Sequence, residues 1–187
     1  MEVTEQVAVE RVRAGDRDAY AVLVRLHAAA AHRAAVLFGA GDDAEDIVQA
    51  AFVKAFEALH RFSDGAPFRP WLLRIVRNET RNALRADGRR HAAAQRLAGL
   101  AASGSTLDPE AGALSAERRT ALLEAVRELP EQQRRVIACR FLLDLDEKET
   151  ATVLGWPVGT VKSRLHRALR RLHERLAPES EEADDEL

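Results

Sequence analysis

GWPVGTVKSRLHRALRRL, residues 155–172, opens on a turn of Gly, Trp and Pro and runs into a helix with leucines on one side and arginines on the other. Just before it stands DEKETATVL, residues 146–154, where Asp146 and Glu149 have the spacing of a capping box, with Asp in place of Ser or Thr. A capped helix, a glycine turn and a longer helix form the helix-turn-helix layout. At about 100° per residue, Val161, Leu165, Ala168, Leu169, Leu172 and Leu176 share one arc. Ser163, His166, Arg167 and Arg170 point away from it, with Lys162, Arg164 and Arg171 towards the flanks. Buried on its leucine side, such a helix presents hydroxyl, imidazole and guanidinium groups, which bond base edges and phosphates in a major groove. The bland reading is a basic amphipathic surface helix. The capped helix and glycine turn in front of it favour DNA. Arg140, in VIACRFLLDLDEKE, stands where a guanidinium can brace the motif on a phosphate, and a salt bridge to Asp144 is an equally good local reading.

Working upstream, the second half reads as helix at 115–129, 131–143 and 146–154, with Pro130 separating the first two. The text before it, from Gly88 to about Leu114, is rich in small residues and has little apolar period, which predicts a mostly flexible linker with room for helix in part of RHAAAQRLAGLAA, residues 90–102. The first half reads as four helices. A short one covers 5–13 and ends at Gly15; Asp16 caps a second, which stops at Gly39; Asp42 or Asp43 caps a third. The fourth begins at FRPWLLRIVRNETRNALRAD, where Pro70 is tolerable only within the first turn. The expected fold is all-α: a four-helix domain and a helix-turn-helix domain joined by a flexible linker.

On that fourth helix Leu72, Leu73, Val76, Ala83 and Leu84 share one face, while Arg74, Arg77, Asn78, Arg81 and Arg85 share another with Trp71 and Asn82 on its edge. Aromatics stack on unpaired bases and Asn bonds a base edge, so this differs in kind from a phosphate clamp. The preceding HRFSDGAPF adds Phe62 and Phe68 around a short loop able to hold an everted base. Core packing is the competing fate of Trp71, Phe62 and Phe68.

The net charge of −2 conceals strong polarity. The last ten residues, PESEEADDEL, hold six acids, leaving the body at +4. Residues 66–96 carry eight arginines against two acids, and 160–177 carry six bases against Glu174. Two separated basic patches suggest two contacts with a polyanion. The chain strongly favours arginine, 25 against 3 lysines, so the clustering counts for more than the residue type. One cysteine, Cys139, excludes an internal disulfide and suits a reducing cytoplasm, where this protein is expected. No run is long and apolar enough to span a bilayer, and no signal peptide opens the chain. Nothing marks an enzyme or calls for a cofactor or metal: there is no phosphate-cradling glycine loop, nucleophile elbow or ligand cluster.

DDAEDIVQAAFVKAFEALHRF, FRPWLLRIVRNETRNALRADGRR and LPEQQRRVIACRFLLDLDEKETATVLGWPVGTVKSRLHRAL together resemble the extracytoplasmic-function (ECF) sigma factors of bacterial RNA polymerase. The resemblance implies region 2 over 1–90, a linker over 91–114, region 4 over 115–177 and an acidic tail over 178–187. Region 2 of the family docks on the β′ clamp helices of core RNA polymerase and captures non-template bases of the −10 element. Carried across, Asp46 and Gln49 face polymerase, Phe62, Ser63 and Asp64 form the loop for the flipped base, and Asn78 reads a base. Arg74, Arg77, Arg81 and Arg85, with Trp71 and Asn82 beside them, hold the single strand. Region 4 meets the β flap and reads the −35 element, which assigns Arg140, Thr160, Lys162, Ser163, His166 and Arg167 to duplex DNA. An anti-sigma factor is an expected partner, alongside promoter DNA. Two departures stand out: Ala50 where the family usually has an acid, and Pro70 near the start of its helix. The rival function is a helix-turn-helix activator with an N-terminal sensor domain. The tail reads as a solubilising end, or as a shield over the neighbouring basic helix.

Overall fold

The computed structural model describes residues 5–63, 65–95 and 113–176, with side chains described at 5–63, 65–86 and 120–176. All regular structure among them is helical: α1 (Glu5–Arg13), α2 (Tyr20–Leu37), α3 (Ala44–Ala58), α4 (Phe68–Gln95), α5 (Ala113–Glu128), α6 (Glu131–Ile137), α7 (Glu147–Leu154) and α8 (Val158–Leu176). None of the described helices is long and apolar enough to cross a membrane.

Local signals explain most boundaries. The Asp16 side chain accepts from the backbone N–H groups of Asp18 and Ala19 and starts a 3-10 turn that feeds α2. The end of α2 is a Schellman motif, with Ala40 N–H on Ala35 O (2.9 Å) and Gly39 N–H on Val36 O (3.0 Å), and Gly39 supplies the positive φ of 98°. Asp43 holds the N-cap position of α3 without making the expected side-chain cap. Instead a 3-10 turn, Gly41–Asp43, leads in, and the acids act through the helix dipole. Pro70 lies in the first turn of α4, where its missing N–H costs no helical bond.

Leu23, His27, Ala31, Ala34 and Ala35 of α2 face the buried side chains of α3 and α4, among them Ile47, Phe52, Leu72, Leu73 and Val76. Burying each large apolar chain contributes about 1.5–3 kcal/mol. In the second half α5, α6 and α7 pack on α8, burying Val161, Ala168 and Leu172 of that helix. Leu169 and Leu176, expected on the buried arc, remain 43% and 39% exposed, so the buried stripe is narrower than the sequence suggested.

Three features differ from the sequence reading. The helix expected over 131–143 is α-helical only to Ile137 and continues as a π turn, Ala138–Leu142. Its wider step, with Leu143 N–H on Ala138 O, precedes Asp144 at φ 48° and lets both Leu143 and Leu145 enter the core. Second, helix α4 runs unbroken through Gly88 to Gln95, so the helix allowed for within 90–102 continues α4; residues 96–112, residue 177 and the tail from 178 lie outside the described residues. Third, the two halves touch. Helix α4 rests on α7, Arg69 Nη2 donates to Leu143 O (2.5 Å), and one buried cluster runs from Ala8 to Val161 through both halves.

Candidate nucleic-acid interface

The helix-turn-helix is built as its residues require. Asp146 Oδ1 accepts from Glu149 N–H (2.8 Å) and Glu149 Oε2 accepts from Asp146 N–H (2.8 Å), a complete capping box at the start of α7. Gly155 ends α7 in the left-handed region (φ 65°), and Trp156 N–H closes on Ala151 O (3.1 Å). The turn throws α8 outward with Lys162, Ser163, His166 and Arg167 exposed together and Thr160 half-buried at their edge. Arg167 Nε donates to Ser163 O (3.1 Å) and Ser163 Oγ donates to Thr160 O (3.1 Å), which fixes how these groups leave the helix. Lys162 Nζ lies 3.4 Å from Glu147 Oε2, a surface pair that a phosphate can displace. Arg164 stacks over the Trp156 ring at 4.0 Å, a cation–π contact that no sequence pattern announced.

Arg140 is half-buried beside the motif. Its Nη1 donates to Leu145 O, inside the loop that leads into α7, and its Nε is buried without a hydrogen-bond partner. The side chain shapes the approach to the motif from within, and no ion pair with Asp144 occurs among the described residues.

On α4, Arg74, Arg81, Asn82 and Arg85 are exposed on one side, with Trp71 and Asn78 half-buried beside them. Glu79, the acid within this basic run, is neutralised by Lys54 Nζ at 2.5 Å. Arg77 is different. It lies at the seam between the halves, its Nε buried and without a hydrogen-bond partner. Burial lowers its pKa, and the nearby Arg135 and Arg81 lower it further. Cys139 of the π turn shares this seam; burial pushes its thiol up to about 12.

The loop before α4 carries Ser63 exposed at its rim, while Asp64 lies outside the described residues. Phe62 is only 6% exposed, its ring 4.9 Å from Trp71 and 5.8 Å from Phe68, which is itself fully buried. These aromatics form the floor of the loop, and Trp71 is the ring of the three that reaches the surface. On α3, Asp46 and Gln49 are exposed, and Gln49 borders an apolar groove of about 630 Å³ between α2 and α3, lined by Tyr20, Val24, Phe52, Val53 and Phe56. The Tyr20 hydroxyl donates to Phe52 O (2.6 Å) and ties the groove's two walls; burial raises its pKa.

Known proteins match this arrangement along nearly the whole chain. Residues 21–90 match the family description Sigma-70 region 2 and residues 119–172 match Sigma-70, region 4. The ECF RNA polymerase sigma-E factor of Escherichia coli K12 is 35% identical, over 95% of this chain and 96% of that protein. The chain belongs to the ECF sigma factors. It is thus a factor of transcription initiation. Two solved structures are similar to this sigma factor throughout. The sigma factor RpoE bound to the anti-sigma factor NepR, from Bartonella quintana, has a TM-score of 0.68 and 27% identity, covering 86% of this chain and 98% of that one. CnrH in complex with the cytosolic domain of CnrY has a TM-score of 0.64 and 27% identity, covering 94% and 99%. The region 2 match occupies the segment where the rival reading places a sensor domain. Arg13, Glu5, Arg69 and Trp156 of this sigma factor are the residues sequence reasoning missed; their partners are loop carbonyls, an N–H and a neighbouring guanidinium, which leave no periodic trace.

Proposed function

We propose that this sigma factor divides promoter reading between its two basic helices and docks on core RNA polymerase through α3. The face of α8, with Thr160, Lys162, Ser163, His166 and Arg167, reads the −35 element as duplex. The α4 strip, with Arg74, Arg81, Arg85, Asn82, Asn78 and Trp71, holds the non-template strand of the −10 element, and the loop at Phe62 and Ser63 accepts a flipped base. Asp46, Gln49 and the apolar groove beside them meet the β′ clamp helices. Region 2 then spans about 1–90 and region 4 about 115–177. The observation that carries this reading is the contrast between the two surfaces. One is a helix-turn-helix face of hydroxyl, imidazole and guanidinium groups; the other joins guanidiniums to an aromatic and two amides beside a loop.

The energetics fit a protein that needs its polymerase. Unstacking costs a few kcal/mol per base step, while stacking a captured base returns about 1–3 kcal/mol. The terms nearly balance, so the free sigma factor opens promoters poorly. The seam adds to this, because it holds Arg77 half-buried with its Nε shut away from solvent. These two similar structures are complexes with a second protein, in one case an anti-sigma factor. An anti-sigma partner is proposed here as well.

Run-off transcription with core polymerase, on promoters randomised at −35 and −10, tests the whole reading. Asn78→Ala should impair opening more than duplex binding, and Arg167→Ala should weaken the upstream contact. Failure to initiate on any template with a folded chain, or equal effects of both variants on both steps, overturns it.

A further inference from the structure

The described part of the loop before α4, residues 62–63 and 65–67, is tied at its entry and its exit to α1, an element that carries none of the proposed DNA-facing residues. At its entry Arg13 Nε donates to Leu59 O (3.1 Å) and Nη2 donates to Phe62 O, so one planar fork holds two carbonyls across the end of the 3-10 turn Leu59–Arg61. At its exit Glu5 Oε1 accepts from Phe68 N–H (3.0 Å), a first-turn donor of α4 that has no helical partner. The other oxygen, Glu5 Oε2, lies 2.8 Å from His27 Nε2 on α2, which fixes the carboxylate. Between these anchors Gly65 adopts a positive φ of 74° and Ala66 N–H bonds Ser63 O (3.2 Å).

We infer that α1 is a buttress for base capture, with Arg13 and Glu5 as positioning residues that hold the loop in its receiving shape. The inference rests on the reading that this loop accepts an unpaired base. The two residues act through the loop and do not touch DNA. A pocket of about 480 Å³ separates α1 from the loop, and its α1 wall carries Glu5 and Glu10. Carboxylates there repel phosphate, so the strand runs on the arginine side of the loop. Two of the nitrogens of Arg13 are already engaged with loop carbonyls. Freeing the loop restores backbone freedom that capture must remove again, and reordering one residue corresponds to about a tenfold loss.

The test uses the full chain with core polymerase on promoters carrying each of the four bases at the captured position, scored by 2-aminopurine fluorescence on opening. Arg13→Met keeps the aliphatic stem and removes the guanidinium with all its donors; Arg13→Lys restores one donor group without the fork. Arg13→Met should lower opening about tenfold and flatten the preference among the four bases, with Arg13→Lys in between. Affinity for a −35 duplex should stay unchanged, and so should the salt dependence of strand binding, because no phosphate contact is lost. Should Arg13→Met melt at the assay temperature, Arg13→Lys and Glu5→Gln are read on a pre-opened bubble, where only capture is scored. Ser63→Ala and Asn78→Ala separate the two levels of the argument. If they alter base preference and the Arg13 variants do not, the buttress is overturned. If they too leave the preference untouched, the loop itself is not the base site. A reduced salt slope in Arg13→Met would make Arg13 a phosphate contact and also overturn the inference.

Discussion

Replacing Asp146 by alanine removes one arm of the capping box at the start of α7 while leaving the other in place. The lost arm is the bond from Glu149 N–H to Asp146 Oδ1; the returning arm uses the backbone N–H of residue 146 and survives. An N-cap exchange of this kind costs about 1 kcal/mol, within a range of roughly 0.5–2. Helix α7 has only eight residues and cannot hold itself together by propagation, so the loss falls on the element that seats α8. For a chain of this size about 1 kcal/mol lowers the melting temperature by about 2–4 °C. Asp146→Asn retains a side-chain acceptor and should stay within a few tenths of a kcal/mol of the parent, since Asn and Asp cap about equally well. Thermal melts followed by circular dichroism, paired with fluorescence anisotropy on a −35 duplex, measure both consequences. The alanine variant should bind up to about fivefold more weakly, the equivalent of the same 1 kcal/mol. An alanine variant that melts like the parent, or an asparagine variant that loses as much as the alanine, refutes the argument that this cap holds the motif.

Three further outcomes are expected. Gly155→Ala meets no atom within 4 Å, so its cost is backbone strain alone, about 1–2 kcal/mol in urea melts, and Gly155→Asn should cost less; equal melts for all three chains would remove the need for glycine there. The Glu5 carboxyl is held below its ordinary 4.5 chiefly by its hydrogen bond with His27, so its contribution is complete above that value and is lost as pH falls through the folded-state pKa. The stability gap between the parent and Glu5→Gln should therefore close on acidification from about pH 5 towards pH 3, and a gap that widens instead would reverse the sign of the argument. Cys139, buried with its thiol pushed up to about 12, should resist alkylation in the folded chain at rates well below those of the urea-unfolded chain; similar rates would mean the seam is open in solution.

How far the sequence carried the architecture can be seen at particular residues. Asp146 with Glu149, Gly155 and Gly39 announce helix ends through rules that act within a few residues, and all three behave as those rules require. The exposed rows on α4 and α8 follow from a 3.6-residue period and were legible for the same reason. The cap expected from Asp43 failed because a 3-10 turn occupies the geometry that a side-chain cap needs. The π turn at Ala138–Leu142 was invisible because one inserted residue changes the register only after the turn, and its cause is the pull of Leu143 and Leu145 into the same core. Phe62 shows the limit for the site. Its place in the loop was readable, whereas its burial against Phe68 and Trp71 depends on packing between elements. Arg13 and Arg140 were harder still, since a guanidinium that bonds main-chain carbonyls looks in sequence like any surface arginine.

The shared packing of α4 and α7 makes the two halves thermodynamically linked. A ligand that engages the buried Nε of Arg77 gains when the halves part, and a partner that reaches Leu143 and Leu145 needs them to part. Whatever holds them apart at one surface raises affinity at the other by the same factor, whichever of the two arrives first. A protein that instead clasps both halves together would oppose any ligand that needs them apart, without covering that ligand's own contacts.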